Sequence, residues 1–406
     1  MTFIKKSYLF LLVLLTFICC VETFEYKTIT YESVLVVEAS ITSENKKQRI
    51  KLSSTIKIEN SEIIPESNAV IEIVDDLNNV FSFTEDSPGN YISDISFNAK
   101  KDVSYQLKIR TQDNKIYISK NQKITGDSPL QKLTVKAKTN IEQDIISEGI
   151  EIYAESYDSE RKSNYYRYEY EETFKIIAPL WVPQELEIVS NVPPYKVKVV
   201  NKKEEKRTCY KTNISDEIIQ TETFSLTEDR VLFPVKYIQK SDFTIKHRYS
   251  ILVKQFIQTR EAYSFYKTLG RLSSSESLFS QFQPGTLVGN IHSVENPDEN
   301  VLGFFEVVSV SSKRIFLNYT DFFDKTTRPK HLEKCFYEAF RLSEGMDEPV
   351  SPLIEAINKN EFVYFEKFTP DTTIPYSGVG PYILTTKSCG DCTAIGSNIK
   401  PVFWVD

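Results

Sequence analysis

Between Val103 and Arg110 the chain alternates strictly: Val103, Tyr105, Leu107 and Ile109 are apolar, while Ser104, Gln106, Lys108 and Arg110 are polar. A period of two puts the two sets on opposite faces of a strand, one for burial and one for water; wound as a helix the same residues have no coherent face. Segments of this kind recur through the first third of the sequence. The apolar run Val34–Ile41 is followed by strand-like runs at Gln48–Leu52, Ala69–Val74, Val80–Phe83 and Ile116–Ile118. Polar turns such as Asp75-Asp76-Leu77-Asn78-Asn79 and Ser87-Pro88-Gly89-Asn90 separate them. About seven short strands at a spacing of roughly 8–12 residues predict an immunoglobulin-like β-sandwich over residues 31–124, and no cysteine falls inside it.

A chain of 406 residues exceeds what one hydrophobic core usually serves, so further domains are expected. Residues 125–406 read as a larger β-rich domain with strand-like runs at Leu133–Lys138, Ile150–Tyr157, Tyr165–Ile177, His247–Ile257, Leu287–His292 and Val301–Val310. With 23 Tyr and 26 Phe against 12 Gly, the composition leans the same way, giving a mainly β fold. One helix is expected from Arg260 to Leu269, capped by Thr259 and closed by Gly270, with Ala262, Phe265, Tyr266 and Leu269 on one face. A shorter helix is expected at Ser275–Gln281. The run Tyr165-Tyr166-Arg167-Tyr168-Glu169-Tyr170 crowds tyrosines onto one strand. The preferred reading is a strand sealed between two packed layers; the alternative is that Tyr165, Tyr166, Tyr168 and Tyr170 offer flat rings for stacking a sugar or peptide.

Residues 1–19 carry the features of an export leader. Lys5 and Lys6 precede an apolar run from Tyr8 to Ile18. That run of about a dozen residues is short of the roughly 20 a membrane-spanning helix needs. It ends at Cys19-Cys20, which predicts cleavage before Cys20 and acylation of that cysteine, with residues 20–30 as a tether. Two or more inserted fatty chains make such an anchor stable. The formal charge of −7 argues against nucleic acid, because phosphate binding needs a basic face.

An exported chain matures where thiols oxidise. Four cysteines remain beyond the leader: Cys209, Cys335, Cys389 and Cys392. The pair Cys389-Gly390-Asp391-Cys392 follows a strand-like run, Pro381–Thr386, and precedes a Gly/Ser/Asn loop, so it does not open a helix within a βαβ pattern as a redox pair would. His331 and Cys335, with three residues between them, give the alternative of a zinc site with the CxxC pair, at the cost of leaving Cys209 odd. The preferred reading is two disulfides in which Cys389 and Cys392 each reach back to Cys209 and Cys335, since long loops remove more unfolded-chain entropy. Which pairs with which is not set by the sequence.

No metalloprotease, nucleophile-elbow or phosphate-loop motif occurs, so no catalytic residue, metal or cofactor is assigned. His247, His292 and His331 lie far apart in sequence. Asp75-Asp76 and Asp321–Asp324 lack a calcium-loop pattern, and a carboxylate pair for glycoside hydrolysis needs no fixed spacing and stays open as a third-ranked alternative.

Several short blocks resemble one family, the Bacteroidota outer-membrane lipoproteins known as domain of unknown function 4249. The blocks are Cys20-Val21-Glu22-Thr23-Phe24, Val34-Leu35-Val36-Val37-Glu38, Cys209-Tyr210, Gln283-Pro284, Gly289-Asn290-Ile291, Val301-Leu302-Gly303-Phe304-Phe305, Cys389-Gly390-Asp391-Cys392-Thr393 and Lys400-Pro401-Val402-Phe403-Trp404. Thr23 and Val402 depart from the family's usual proline and acidic residue. The resemblance implies an outer-membrane lipoprotein facing the cell surface, acting as a non-enzymatic binding or accessory subunit beside a TonB-dependent receptor. It supplies no catalytic residue. A structural or assembly role in the envelope is the alternative expectation.

Overall fold

The computed structural model describes residues 34–55, 64–142, 145–274, 287–343 and 350–406. The leader, Cys20, the tether and the helix expected at Ser275–Gln281 lie outside them. The chain is mainly β. In order the strands are β1 (Leu35–Thr42), β2 (Arg49–Ser54), β3 (Ile64–Pro65), β4 (Val70–Asp75), β5 (Val80–Ser87), β6 (Asn90–Ser93), β7 (Tyr105–Arg110) and β8 (Ile116–Ser119). Then come β9 (Lys132–Glu142), β10 (Ile145–Asp158), β11 (Tyr165–Ile177), β12 (Gln184–Ser190), β13 (Lys196–Asn201), β14 (Thr208–Ile214), β15 (Ile219–Glu222), β16 (Asp229–Gln239) and β17 (Arg248–Ile257). After helix α1 (Arg260–Ser274) follow β18 (Ile291–Ser293), β19 (Val301–Asn318) and β20 (Tyr337–Phe340). Helix α2 (Pro352–Lys359), β21 (Phe362–Lys367), β22 (Ser377–Gly378), β23 (Tyr382–Thr386) and helix α3 (Lys387–Gly390) complete the chain.

A 14-stranded sheet runs β14-β11-β17-β19-β1-β2-β6-β5-β4-β7-β8-β18, with β15 on β11 and β3 on β2. Its early strands follow the alternation read from the sequence. In β7 the tyrosine, leucine and isoleucine are buried while Lys108 and Arg110 are exposed. The first hydrophobic cluster gathers Val37, Ile41, Leu52, Ile73, Leu107 and their neighbours, and it extends beyond the 31–124 segment. Ile291 of β18 and Val301, Phe305 and Val307 of β19 close it from nearly two hundred residues downstream. The second cluster is built on β10, β11, β16 and β17.

Strand β19 joins the two. At a rise of about 3.3 Å per residue its 18 residues span about 60 Å. Its first half pairs in parallel with β1, from Leu35 opposite Val301 to Thr42 opposite Val308. Its second half pairs antiparallel with β17, from Ser309 opposite Ile257 to Asn318 opposite Arg248. Two glycines make the junction close enough. Gly303 sits at φ +151°, and a Cβ there would stand 2.2 Å from the Val37 carbonyl oxygen; one on Gly289 would stand 1.8 Å from the Gly303 carbonyl oxygen. Between them the Asn290 side-chain amide donates to the Phe305 carbonyl and accepts from the Phe305 N–H, both at 2.8 Å.

Helix α1 starts where the sequence placed it, with Thr259 Oγ1 accepting from the Ala262 N–H at 3.1 Å. It does not stop at Gly270. It continues to Ser274, a correction with a local cause: Gly270 keeps a helical backbone, and its bare Cα faces Ile218, whose Cβ is 3.7 Å from where a side chain would begin. A glycine inside a helix costs only about 1 kcal/mol, which docking of the apolar face offsets. That face is the expected one, with Ala262 and Phe265 packed on Phe304 and Tyr266 and Leu269 beside them. No described helix is long and apolar enough to cross a membrane.

Candidate functional site

The four late cysteines form two bridges, Cys209–Cys392 and Cys335–Cys389. Each member of the CxxC pair reaches back to a distant partner, and the two are not joined to each other. The zinc alternative meets geometry that half suits it, because ligand atoms of His331, Cys335 and Cys389 all lie within 4.8 Å of one another. Both sulfurs are consumed in a disulfide, however, so no thiolate is available to a metal. The outer bridge pins the tail to β14. Ser397 and Tyr210 exchange backbone hydrogen bonds at 2.8 and 2.9 Å, and Trp404 packs edge-on against Tyr210 (4.9 Å) and Phe316 (5.6 Å).

The tyrosine run is core for the most part, in line with the preferred reading of a strand packed between layers and against the alternative of a stacking platform. Tyr166, Tyr168 and Tyr170 point to one side of β11 and are sealed in the second cluster. Their hydroxyls are used internally: Tyr166 donates to Asp229 (2.7 Å), Tyr168 donates to Gln255 (3.0 Å), and Tyr170 accepts from Lys236 (2.8 Å). Only Tyr165, on the other face, reaches the surface, beside Tyr263 (5.1 Å) and Phe224 (6.4 Å).

That other face of β11 holds the most developed site. Where β11, β17, β19 and β1 lie side by side and α1 crosses them, a groove of about 1160 Å³ opens, walled by Glu38, Arg49, Glu169, Asp216, Glu217 and Lys267 among others. Its floor is an ion pair. Arg167 Nη2 donates to Glu306 Oε1 at 2.6 Å, and Arg167 Nη1 donates to Glu169. Gln258 donates to the second Glu306 oxygen at 3.0 Å and accepts from Gln220 at 2.6 Å. The guanidinium lies 4.4 Å from the Phe256 ring centre and 5.4 Å from that of Tyr266. Glu306 is 1 % exposed, so its charge has no solvent to lean on. Burial by itself pushes the Arg167 pKa down; Glu306, Tyr266 and Glu169 more than reverse that and hold the cation. Burial, then the Glu306 charge, raises the Tyr266 hydroxyl, which stays protonated.

Chemically this floor positions and recognises. Both Glu306 oxygens accept hydrogen bonds, one from Arg167 and one from Gln258, whereas a glycosidase acid needs a carboxyl that retains its proton and can give it to a substrate. The two described carboxyls pushed upward, chiefly by burial, are Glu66 and Asp229, and neither lines the groove. The acid-rich turns are structural. Asp75 accepts from the Leu77 and Asn79 N–H groups, and Asp324 accepts from Thr326. His292 is exposed on β18, while His247, half-buried, has its pKa lowered chiefly by burial, with His331 a small contributor despite its distance in sequence. Sequence reasoning missed Glu306, Gln258 and Gln220, since a lone charged residue inside the apolar run Val301–Val310 was the one available signal.

The fold and site define a mainly β, disulfide-stapled protein with a polar groove laid across the joint between its two cores. A family model described as Domain of unknown function (DUF4249) matches residues 21–314, and the chain belongs to that family. No curated protein matches it.

Proposed function

We propose that this chain is a lipoprotein anchored in the outer membrane through Cys20 and facing the cell surface, where it serves as a non-enzymatic binding or accessory subunit beside a TonB-dependent receptor. Its immunoglobulin-like N-terminal part acts as the frame that carries the groove. The observation behind this reading is the α1 groove itself: a charged floor in which Arg167 pairs with Glu306 and Glu169 and both Glu306 oxygens are hydrogen-bonded. Such a surface suits capture of a polar ligand or of a partner's loop. The leader and Cys20 supply the anchor.

The test is co-purification of the acylated protein after gentle detergent extraction, alongside a Cys20→Ala form. Recovery of a β-barrel partner with the first supports the reading, as does loss of membrane retention in the second. A chain that comes out alone, and whose deletion weakens the envelope without affecting uptake of any one nutrient, would move it to the structural class.

A further inference from the structure

A second groove, of about 820 Å³, is walled by Ser147, Glu148, Lys240, Ser241, Arg328 and Lys330 among others. Glu148 is the one acid in its wall, and Lys240 already takes it at 2.7 Å while lying over the Phe323 ring at 5.4 Å. Arg328 and Lys330 have no ion-pair partner among the described residues. The Arg328 Nε–H is moreover buried and has no acceptor among the described residues, which is costly for a buried donor.

Behind this wall the field is positive from several elements. Phe243 gathers Lys246 Nζ (6.0 Å from its ring centre) and the His331 ring (5.3 Å). Arg328 acts on Lys246. Burial first, then the charges of Lys246, Arg328, Lys175 and His331, lower the His247 pKa to about 4. Asp242 and Asp324 on the flanking turns cap Thr244 and Thr326, and the Asp324 charge also acts on Lys240. Two cations without an ion-pair partner among the described residues, in a groove wall that holds one acid already taken by Lys240, make an anion site.

We propose that this groove binds an oxyanion of the phosphate or sulfate type, with Arg328 as the forked donor and Lys330 as the second cation. A fork plus a point charge offers three donors in two directions, which a tetrahedral anion's oxygens can satisfy together and a single carboxylate cannot. The anion is either free or carried on a lipid headgroup.

The full mature chain made without acylation (Cys20→Ala) distinguishes these sources. Titrating it at low salt with inorganic phosphate, inorganic sulfate, and vesicles of phosphatidylglycerol against phosphatidylcholine should give saturable binding to at least one anionic probe. Arg328→Gln should weaken that binding about ten- to hundredfold, the loss of one charge-assisted contact. Lys330→Glu, at an exposed position, should weaken it too while leaving thermal unfolding unchanged, which separates a binding defect from a folding one. Binding to free phosphate or sulfate assigns a soluble anion; binding confined to phosphatidylglycerol vesicles assigns a headgroup. No binding to any probe, or equal affinity in wild type and both variants, overturns the proposal.

Discussion

The two disulfides are nested, and that nesting fixes their relative worth. Cys335–Cys389 closes 54 residues and lies wholly within the 183 residues closed by Cys209–Cys392. With the inner bridge intact the outer one closes 183 − 54 = 129 residues of free chain. In the loop-entropy model a closure of that size is worth about 5 kcal/mol, and the inner one about 4 kcal/mol. The folded state adds to the same side, because the outer bridge alone holds the tail's contacts to β14, including Trp404 on Tyr210. Replacing Cys209 and Cys392 together with alanine should therefore cost more than replacing Cys335 and Cys389, by about 1 kcal/mol or somewhat over. Equilibrium urea unfolding of the two double variants, compared at matched m-values, measures this directly. Limited proteolysis should show new cleavage in residues 397–406 only in the outer-bridge variant. If the inner-bridge variant loses as much stability or more, the loop argument fails, and native-state strain or unfolded-state structure governs instead.

Three further outcomes are expected. Arg167→Met leaves Glu306 buried without its cation and should cost about 3–5 kcal/mol in denaturant unfolding, while Arg167→Met combined with Glu306→Leu should recover much of that loss. Burial raises the Asp229 pKa in the folded state, so the native protein holds a proton that the unfolded chain releases; stability from this group is present at low pH and lost as pH rises through the folded value. Unfolding of wild type against Asp229→Asn at pH 4 and pH 7 should show wild type relatively weaker at pH 7, and the opposite trend would refute the assignment. Gly303→Ala forces a Cβ against the Val37 carbonyl at a left-handed φ and should cost at least about 2 kcal/mol, read as a lowered thermal midpoint.

What the sequence exposed and what it hid divide along physical lines. Strands with one wet face, such as β7, announce themselves through alternation, and β11 matches the run read from Tyr165 to Ile177 because aromatic and β-branched residues recur along it with no glycine or proline to interrupt. The two bridges followed from cysteine number and compartment. The pairing of β1 with β19 was invisible, because a parallel partner more than 260 residues away leaves no local trace. The hairpin β12–β13 and strands β20, β21 and β22 were missed for the opposite reason: they are short and half-exposed, so neither face is purely apolar, whereas the run Pro381–Thr386 was legible as β23. For the tyrosines, the strand was legible and the burial of each face was not, since that depends on β16 and β10 covering one side.

The blocks that carry the family resemblance fall mainly at the joints of this structure. Val34–Glu38 enters β1 between two neighbours, Gly289–Ile291 and Val301–Phe305 lock together through Asn290, and Cys209-Tyr210 meets Cys389–Thr393 in the outer staple. Of the groove's wall, these blocks supply Glu38, while Asp216, Glu217 and Lys267 come from segments outside them. Frame and ligand contact are thus carried by different residues, and they should separate under mutation. Reversing Asp216 and Glu217 to lysine changes two exposed charges and should shift stability by no more than about 0.5 kcal/mol each, yet it inverts one wall of the groove and should alter partner or ligand recovery and its salt dependence. Gly303→Ala should instead lower stability and recovery together. A double reversal that unfolds the protein, or one that leaves every binding measurement unchanged, would show that the wall does not contact the ligand and that the α1 groove is a seam of the fold.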